Sequence, residues 1–135
     1  MAKVFVVYDT KYGNTKLAAE KIVEGLKEVG GIETAIDDVK EANLEKVAGY
    51  DAVLIGSPNH AGRPARGIDK FIDKLGKLKL KAKWTAVFDT QGGGSNFERV
   101  VKKMEKKIAE KAPNLKLIAP GLSIRVTGMK GPIAQ

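Results

Sequence analysis

The feature that most narrows the fold is a set of short strand-like runs that are apolar at successive positions. Val4 to Val7, Val53 to Ile55 and Thr85 to Phe88 show little polar alternation. Neighbouring residues of a strand point to opposite faces, so a run that is apolar at both parities calls for cover on both sides. Between these runs the spacing changes to that of helices. Leu17, Ala18, Ile22, Leu26 and Val29 form one stripe between Thr15 and Val29, which Gly30-Gly31 closes. Ile68, Phe71, Ile72 and Leu75 form a second. Ser95 and Glu98 make a capping box ahead of a third, with Phe97, Val100, Val101, Met104 and Ile108 on one side.

The remaining segments complete the alternation. Ile32 to Ile36 alternates as a strand, a short helix is predicted from Asn43 to Ala48, and Asp51 to Gly56 is a buried central strand. Leu115 to Ala119 is a fifth strand, resumed at Leu122 to Val126 beyond Pro120-Gly121. Trp84, early in its strand, reads as a core residue. Strand alternating with helix predicts the α/β class: a doubly wound, five-stranded parallel sheet with helices on both faces, in one domain over residues 1–135. Ligands of such sheets bind beyond the carboxyl ends of the strands, near the point where strand order reverses.

Composition removes several chemistries. The chain has no cysteine, which excludes disulfides, thiolate metal sites and thiol catalysis. His60 is the only histidine, so a multi-histidine metal centre is excluded as well. Met1-Ala2-Lys3 runs straight into a strand without a signal-peptide layout, and no apolar stretch approaches the ~20 residues that span a bilayer. The expectation is a cytoplasmic protein with no membrane partner. Net charge is +8, unevenly placed: residues 1–67 carry nine Lys/Arg against ten Asp/Glu, and residues 68–135 carry fifteen against six. Such asymmetry suits an acidic partner; a solvated lysine-rich surface is the plainer reading, and Lys77 to Lys83 is read that way rather than as a nucleic-acid patch. No nucleic-acid partner is expected. A Walker-type loop and a Gly-x-Ser-x-Gly elbow are both missing, and Asp9-Thr10 and Ser57-Pro58 stand where a phosphorylatable receiver would carry its acids.

Three loops at strand carboxyl ends hold the candidate site. Thr10-Lys11-Tyr12-Gly13-Asn14-Thr15 has hydroxyls, a glycine where backbone can approach a ligand, and a helix start, with no acidic residue between Thr10 and Leu17. Helix N–H groups and the helix dipole make such a place fit for an anion. Gly56-Ser57-Pro58-Asn59-His60-Ala61-Gly62-Arg63-Pro64 follows the central strand, its glycines and prolines dictating the backbone path. Asp89-Thr90-Gln91-Gly92-Gly93-Gly94-Ser95 leaves backbone bare for a flat polar ring. Each alone could be an ordinary turn; the three together point to one ligand.

The stretch Val6-Val7-Tyr8-Asp9-Thr10-Lys11-Tyr12-Gly13-Asn14-Thr15-Lys16-Leu17-Ala18-Ala19-Glu20-Lys21-Ile22 resembles the flavodoxin signature, which Tyr8, Thr10, Gly13, Thr15, Ala19 and Ile22 fit. The second loop is similar to the Gly-Ser-Pro opening of the flavin loop in flavodoxin domains, including those of flavo-diiron proteins. The resemblance runs to about Val126. It implies strand order 2-1-3-4-5, FMN as cofactor and electron transfer between redox partner proteins. It also implies that Thr10, Lys11, Tyr12, Gly13, Asn14 and Thr15 hold the phosphate. Ser57, Pro58, Asn59, His60, Ala61 and Gly62 would line one side of the ring, and Thr90, Gln91, Gly92 and Gly93 the other. One departure stands out. Many flavodoxins sandwich the ring between aromatic side chains, and neither loop here has Trp, Tyr or Phe; His60 is the only ring nearby, with Phe97 just beyond. A flavin-dependent quinone or NAD(P)H reductase, or a flavin-free interaction domain, would share the fold.

The end of the chain adds an expectation. Helices after the second, third and fourth strands cover one face, and the first helix covers the other in part. A fifth helix would complete that cover, but Thr127-Gly-Met-Lys-Gly-Pro-Ile-Ala-Gln135 is a poor helix former. The expectation is a native chain that runs further, or a second copy covering the exposed sheet face.

Overall fold

Phe5, Val6 and Val7 are all fully buried, which places the first strand inside a sheet that is sealed on both sides. The computed structural model describes residues 2–10, 13–59, 63–78, 83–91, 99–117 and 121–125. Its elements are β1 (Ala2–Tyr8), α1 (Asn14–Val29), β2 (Ile32–Asp38), α2 (Leu44–Val47), β3 (Ala52–Pro58), α3 (Arg66–Lys77), β4 (Lys83–Gln91), α4 (Arg99–Lys111), β5 (Leu115–Leu117) and β6 (Leu122–Arg125). Every strand pairing is parallel, in the order β2-β1-β3-β4-β5, with β6 also on β4. The α/β sheet and its 2-1-3-4-5 order are those expected from the residues and the resemblance.

The fifth position of the sheet is shared. β5 pairs with Lys83–Thr85 and β6 with Phe88–Gln91, so both lie along the same edge of β4, one after the other. This is the interrupted strand that the sequence suggests at Pro120-Gly121. The short helix forms at Leu44–Val47, with the Asn43 side chain accepting from the Glu45 N–H as its cap. The predicted capping box at Ser95 and Glu98, with Phe97, lies outside the described residues. Beyond it, Val100, Val101, Met104 and Ile108 of α4 are buried as their spacing demands.

The two faces are unequal. On one, Phe5, Val7, Val53, Ile55 and Val87 meet Val47 of α2 and the apolar stripes of α3 and α4. On the other, Val4, Val6, Tyr8, Ala52 and Phe88 meet Ala18, Ala19 and Val23 of α1. Among the described residues α1 is the only helix packed in that second cluster. Trp84 shares the parity of Phe88 in β4, and Phe88 is in register with Leu122 of β6. Trp84 is 52% and Leu122 55% exposed. The expectation of Trp84 as core is therefore corrected: the cluster that α1 covers takes in Phe88 of β4 but not Trp84.

Against the fuller face, α3 and α4 approach closely. A Cβ added at Gly76 would collide with the carbonyl oxygen of Lys111, so glycine is what permits that contact. Replacing a helical glycine by alanine normally stabilises by up to ~1 kcal/mol. Gly76→Ala is expected to reverse that sign and cost about 1–3 kcal/mol through overpacking. Gly25→Ala in α1, where an added Cβ meets nothing within 4 Å, is expected to stabilise. Urea unfolding of the two variants checks the contrast.

Candidate functional site

The strand order reverses between β1 and β3, and there the chain leaves the two strands toward opposite faces. The crevice this opens lies at the ends of β1, β3 and β4. Hydrogen bonding carries on past the strand ends and binds the three loops together. The Asp9 N–H donates to the Gly56 carbonyl at 3.1 Å, and the Asn59 N–H to the Thr90 carbonyl at 3.0 Å.

The first loop turns into α1 through Gly13, whose φ of 94° is a backbone state side chains disfavour. The Gly13 N–H donates to Thr10 Oγ1 at 2.9 Å, which pins the turn from inside. The start of α1 receives no side-chain cap hydrogen bond and has no acidic residue in its first turn. The positive end of the helix dipole is thus not offset by the helix's own side chains.

The hydroxyls of the site divide by role. Thr15 is buried, and its Oγ1 lies 2.8 Å from Oγ1 of Thr90, so the helix start is bonded directly to the end of β4. Either hydroxyl can be the donor. If Thr90 donates, the Thr15 hydrogen stays available to a ligand oxygen. Ser57 is fully buried; its Oγ accepts from the Ala65 N–H at 2.8 Å and donates to the Pro58 carbonyl at 2.8 Å. It ties the second loop to the start of α3.

Of the residues expected from sequence, Thr10, Gly13, Asn14 and Thr15 stand at the β1–α1 junction. Ser57 and Pro58 end β3 with Asn59 next, and Thr90 and Gln91 end β4. The structure brings these together at one edge. Lys11, Tyr12, His60, Ala61, Gly62, Gly92 and Gly93 lie outside the described residues. The Thr15–Thr90 bond was not foreseen: no local pattern links residues 75 positions apart. Asp89, quoted in the third loop but given no role, is fully buried beside Ser57 in the β3–β4 register. Among the described residues, no cluster of three or more His, Cys, Asp or Glu could hold a metal, and no helix is long and apolar enough to cross a membrane.

An open parallel sheet in this order, with its crevice at a helix start, defines the doubly wound class of α/β proteins. The comparisons narrow that class. A family model described as Flavodoxin domain matches residues 5–129. A flavodoxin of Aquifex aeolicus (strain VF5) is 38% identical over 96 residues, 69% of this chain; the match spans about half, 52%, of that relative's length. Oxidised flavodoxin 1 from Bacillus cereus superposes with a TM-score of 0.78 at 20% identity, over 94% of this chain and 86% of that one. The flavodiiron protein from Giardia intestinalis does so with a TM-score of 0.77 at 22% identity, over 93% of this chain and 31% of that one. The chain belongs to the flavodoxin family.

Tyr8, at the end of β1, is buried, and its phenol is pushed above its usual value of 10.0, first by that burial and then by Asp38, Glu20, Glu41 and Asp37. In the unfolded chain the phenol ionises near 10, while the folded chain keeps it neutral to higher pH. Tyr8 therefore contributes stability that is intact below about pH 10 and lost as pH rises above it. Replacing Tyr8 by Phe is expected to flatten that alkaline limb, as read from urea midpoints between about pH 9 and 11.

Proposed function

We propose that this chain binds FMN at the ends of β1, β3 and β4 and carries electrons between redox partner proteins in the cytoplasm. The observation that carries the reading is the start of α1. It has no side-chain cap and no first-turn acid, and it sits where the strand order reverses. A phosphate monoester suits that place: a dianion gains from helix N–H groups and from the dipole. Thr10, Lys11, Tyr12, Gly13, Asn14 and Thr15 would hold the phosphate. Thr10 sets the turn through the Gly13 N–H, and Thr15 joins the phosphate end to β4 through Thr90. Ser57, Pro58, Asn59, His60, Ala61 and Gly62 would line one side of the ring, and Thr90, Gln91, Gly92 and Gly93 the other. Ser57 acts there from beneath, since its hydroxyl is committed to Ala65 and Pro58. When bound, FMN supplies the redox chemistry; the protein's part is to bind, orient and surround it.

Titration of the apoprotein with FMN, FAD and riboflavin tests the assignment. FMN is expected to bind more tightly than riboflavin, and equal affinities would remove the phosphate site. Thr15→Val keeps the shape, breaks the bond to Thr90 and removes a donor. It is expected to weaken FMN binding by about 1–3 kcal/mol, the range for hydrogen bonds to charged groups.

The partners of this reading are redox proteins with acidic surfaces, complementary to the basic second half of the chain. Self-association would use the sheet face on which Trp84 and Leu122 stand exposed. Sedimentation of the 135-residue chain is expected to show concentration-dependent association that Trp84→Lys abolishes.

A further inference from the structure

Positive charge is concentrated on one side of the sheet. α1, on the other side, has three lysines and three glutamates. α3 and α4, side by side over the Phe5–Ile55 face, carry ten Lys/Arg and four Asp/Glu. The excess of six accounts for most of the chain's net charge of +8.

Within that face the charges are sorted. Arg66, Lys70, Lys74 and Lys77 are all exposed and follow spacings of four, four and three, so they form one outward stripe on α3. Arg63 stands exposed just before it. The two acids of α3 flank the stripe and are engaged by α4: Lys107 Nζ lies 3.5 Å from Asp69 and 3.2 Å from Asp73. Among the described residues, none of the four stripe cations forms an ion pair. The stripe also begins at the ligand end of the sheet. Ala65, just before α3, is bonded to Ser57, and an ideal Cβ on Gly67 would lie 3.0 Å from Oδ2 of Asp9 at the end of β1. On the β1–β2 side, Asp37 and Asp38 lie in register with Val7 and Tyr8 at the end of the strands, so the crevice has an acidic flank as well as a basic one.

We propose that the Arg66–Lys70–Lys74–Lys77 stripe is the docking surface for an acidic redox protein, which it seats beside the crevice. The proposal rests on the electron-carrier reading and goes beyond it in naming the surface. Charges on the rim of an interface steer encounter and orient the partner, and an opposite-signed stripe running from the site does both. Single-stranded nucleic acid is disfavoured because the stripe's outward positions hold no aromatic side chain for base stacking, Phe71 of α3 being turned into the core; binding to duplex DNA is an outcome of the test.

Cytochrome b5, an acidic haem protein, is the probe, with basic cytochrome c as its opposite. Immobilised cytochrome b5 should bind both the apo- and the FMN-loaded chain, more weakly as salt rises, and cytochrome c should not. In stopped flow, one electron should leave the dithionite-reduced holoprotein for the ferric haem iron of cytochrome b5, which becomes ferrous, at a rate that falls with ionic strength. K70E/K74E/K77E is expected to weaken binding by about tenfold or more and to flatten the salt dependence. The control K21E/K27E/K40E makes the same change in net charge elsewhere and should leave binding near the wild-type value. K70Q/K74Q/K77Q, which adds no new charge, should fall between wild type and the reversal. FMN affinity, measured separately, should be unchanged in all three. Equal losses in stripe and control variants would overturn the proposal, as would no wild-type binding to cytochrome b5 at low salt or equally tight binding to duplex DNA. If FMN fails to bind while the apoprotein still binds cytochrome b5 through the stripe, the cofactor reading falls and the docking surface stands.

Discussion

The parallel register of β1 against β3 is the constraint on which the rest depends. Val4 to Tyr8 lie beside Ala52 to Gly56, while β1 also holds β2 on its other edge. From this position the chain must leave β1 on one face and β3 on the other, and the connections diverge. α1 packs on Val4, Val6 and Tyr8, whereas α3 and α4 pack on the side of Phe5, Val7 and Ile55. The crevice at the strand ends follows from this topology. It would exist with other loop sequences, and what the loops decide is which ligand it fits.

A few buried polar contacts join the described ends of the loops to neighbouring elements. Thr15 with Thr90 and Ser57 with the Ala65 N–H each join a loop to the element that follows or flanks it. These hydroxyls are out of water, so each bond also prevents the cost of an unsatisfied buried group. Among the described residues, these hydroxyls are what tie the site's strand ends and helix starts together.

Charge is organised on the same plan as packing. The helices of the fuller face are rich in lysine, and Lys107 draws the acids of α3 inward, leaving their cationic neighbours facing solvent. The thinner face is nearly neutral in α1 and leaves Trp84 and Leu122 in view. The two sides of one sheet thus present different chemistry to their surroundings.

Much of this was legible in the residues. Apolar runs at both parities and the 3.6-residue stripes identify a doubly covered parallel sheet, because burial periodicity is written locally. Gly13, the run without acids to Leu17 and the Gly-Ser-Pro loop mark the end of the sheet where the candidate site is proposed, because turns and helix starts also have local chemistry. What was not legible depends on contacts between distant segments. The Thr15–Thr90 bond, the commitment of Ser57 to Ala65 and the collision that keeps Gly76 a glycine all join parts of the chain that no periodicity relates. Trp84 shows the same limit: its strand predicts burial, yet the cluster that α1 covers takes in Phe88 and leaves Trp84 out. The sequence by itself determined which segments become strands and helices and which of their faces are apolar, since these follow from side-chain spacing along one segment. Only the tertiary structure decided which hydroxyls meet, which apolar side chain stays in solvent and which lysines form one stripe, since these depend on distances across the sheet.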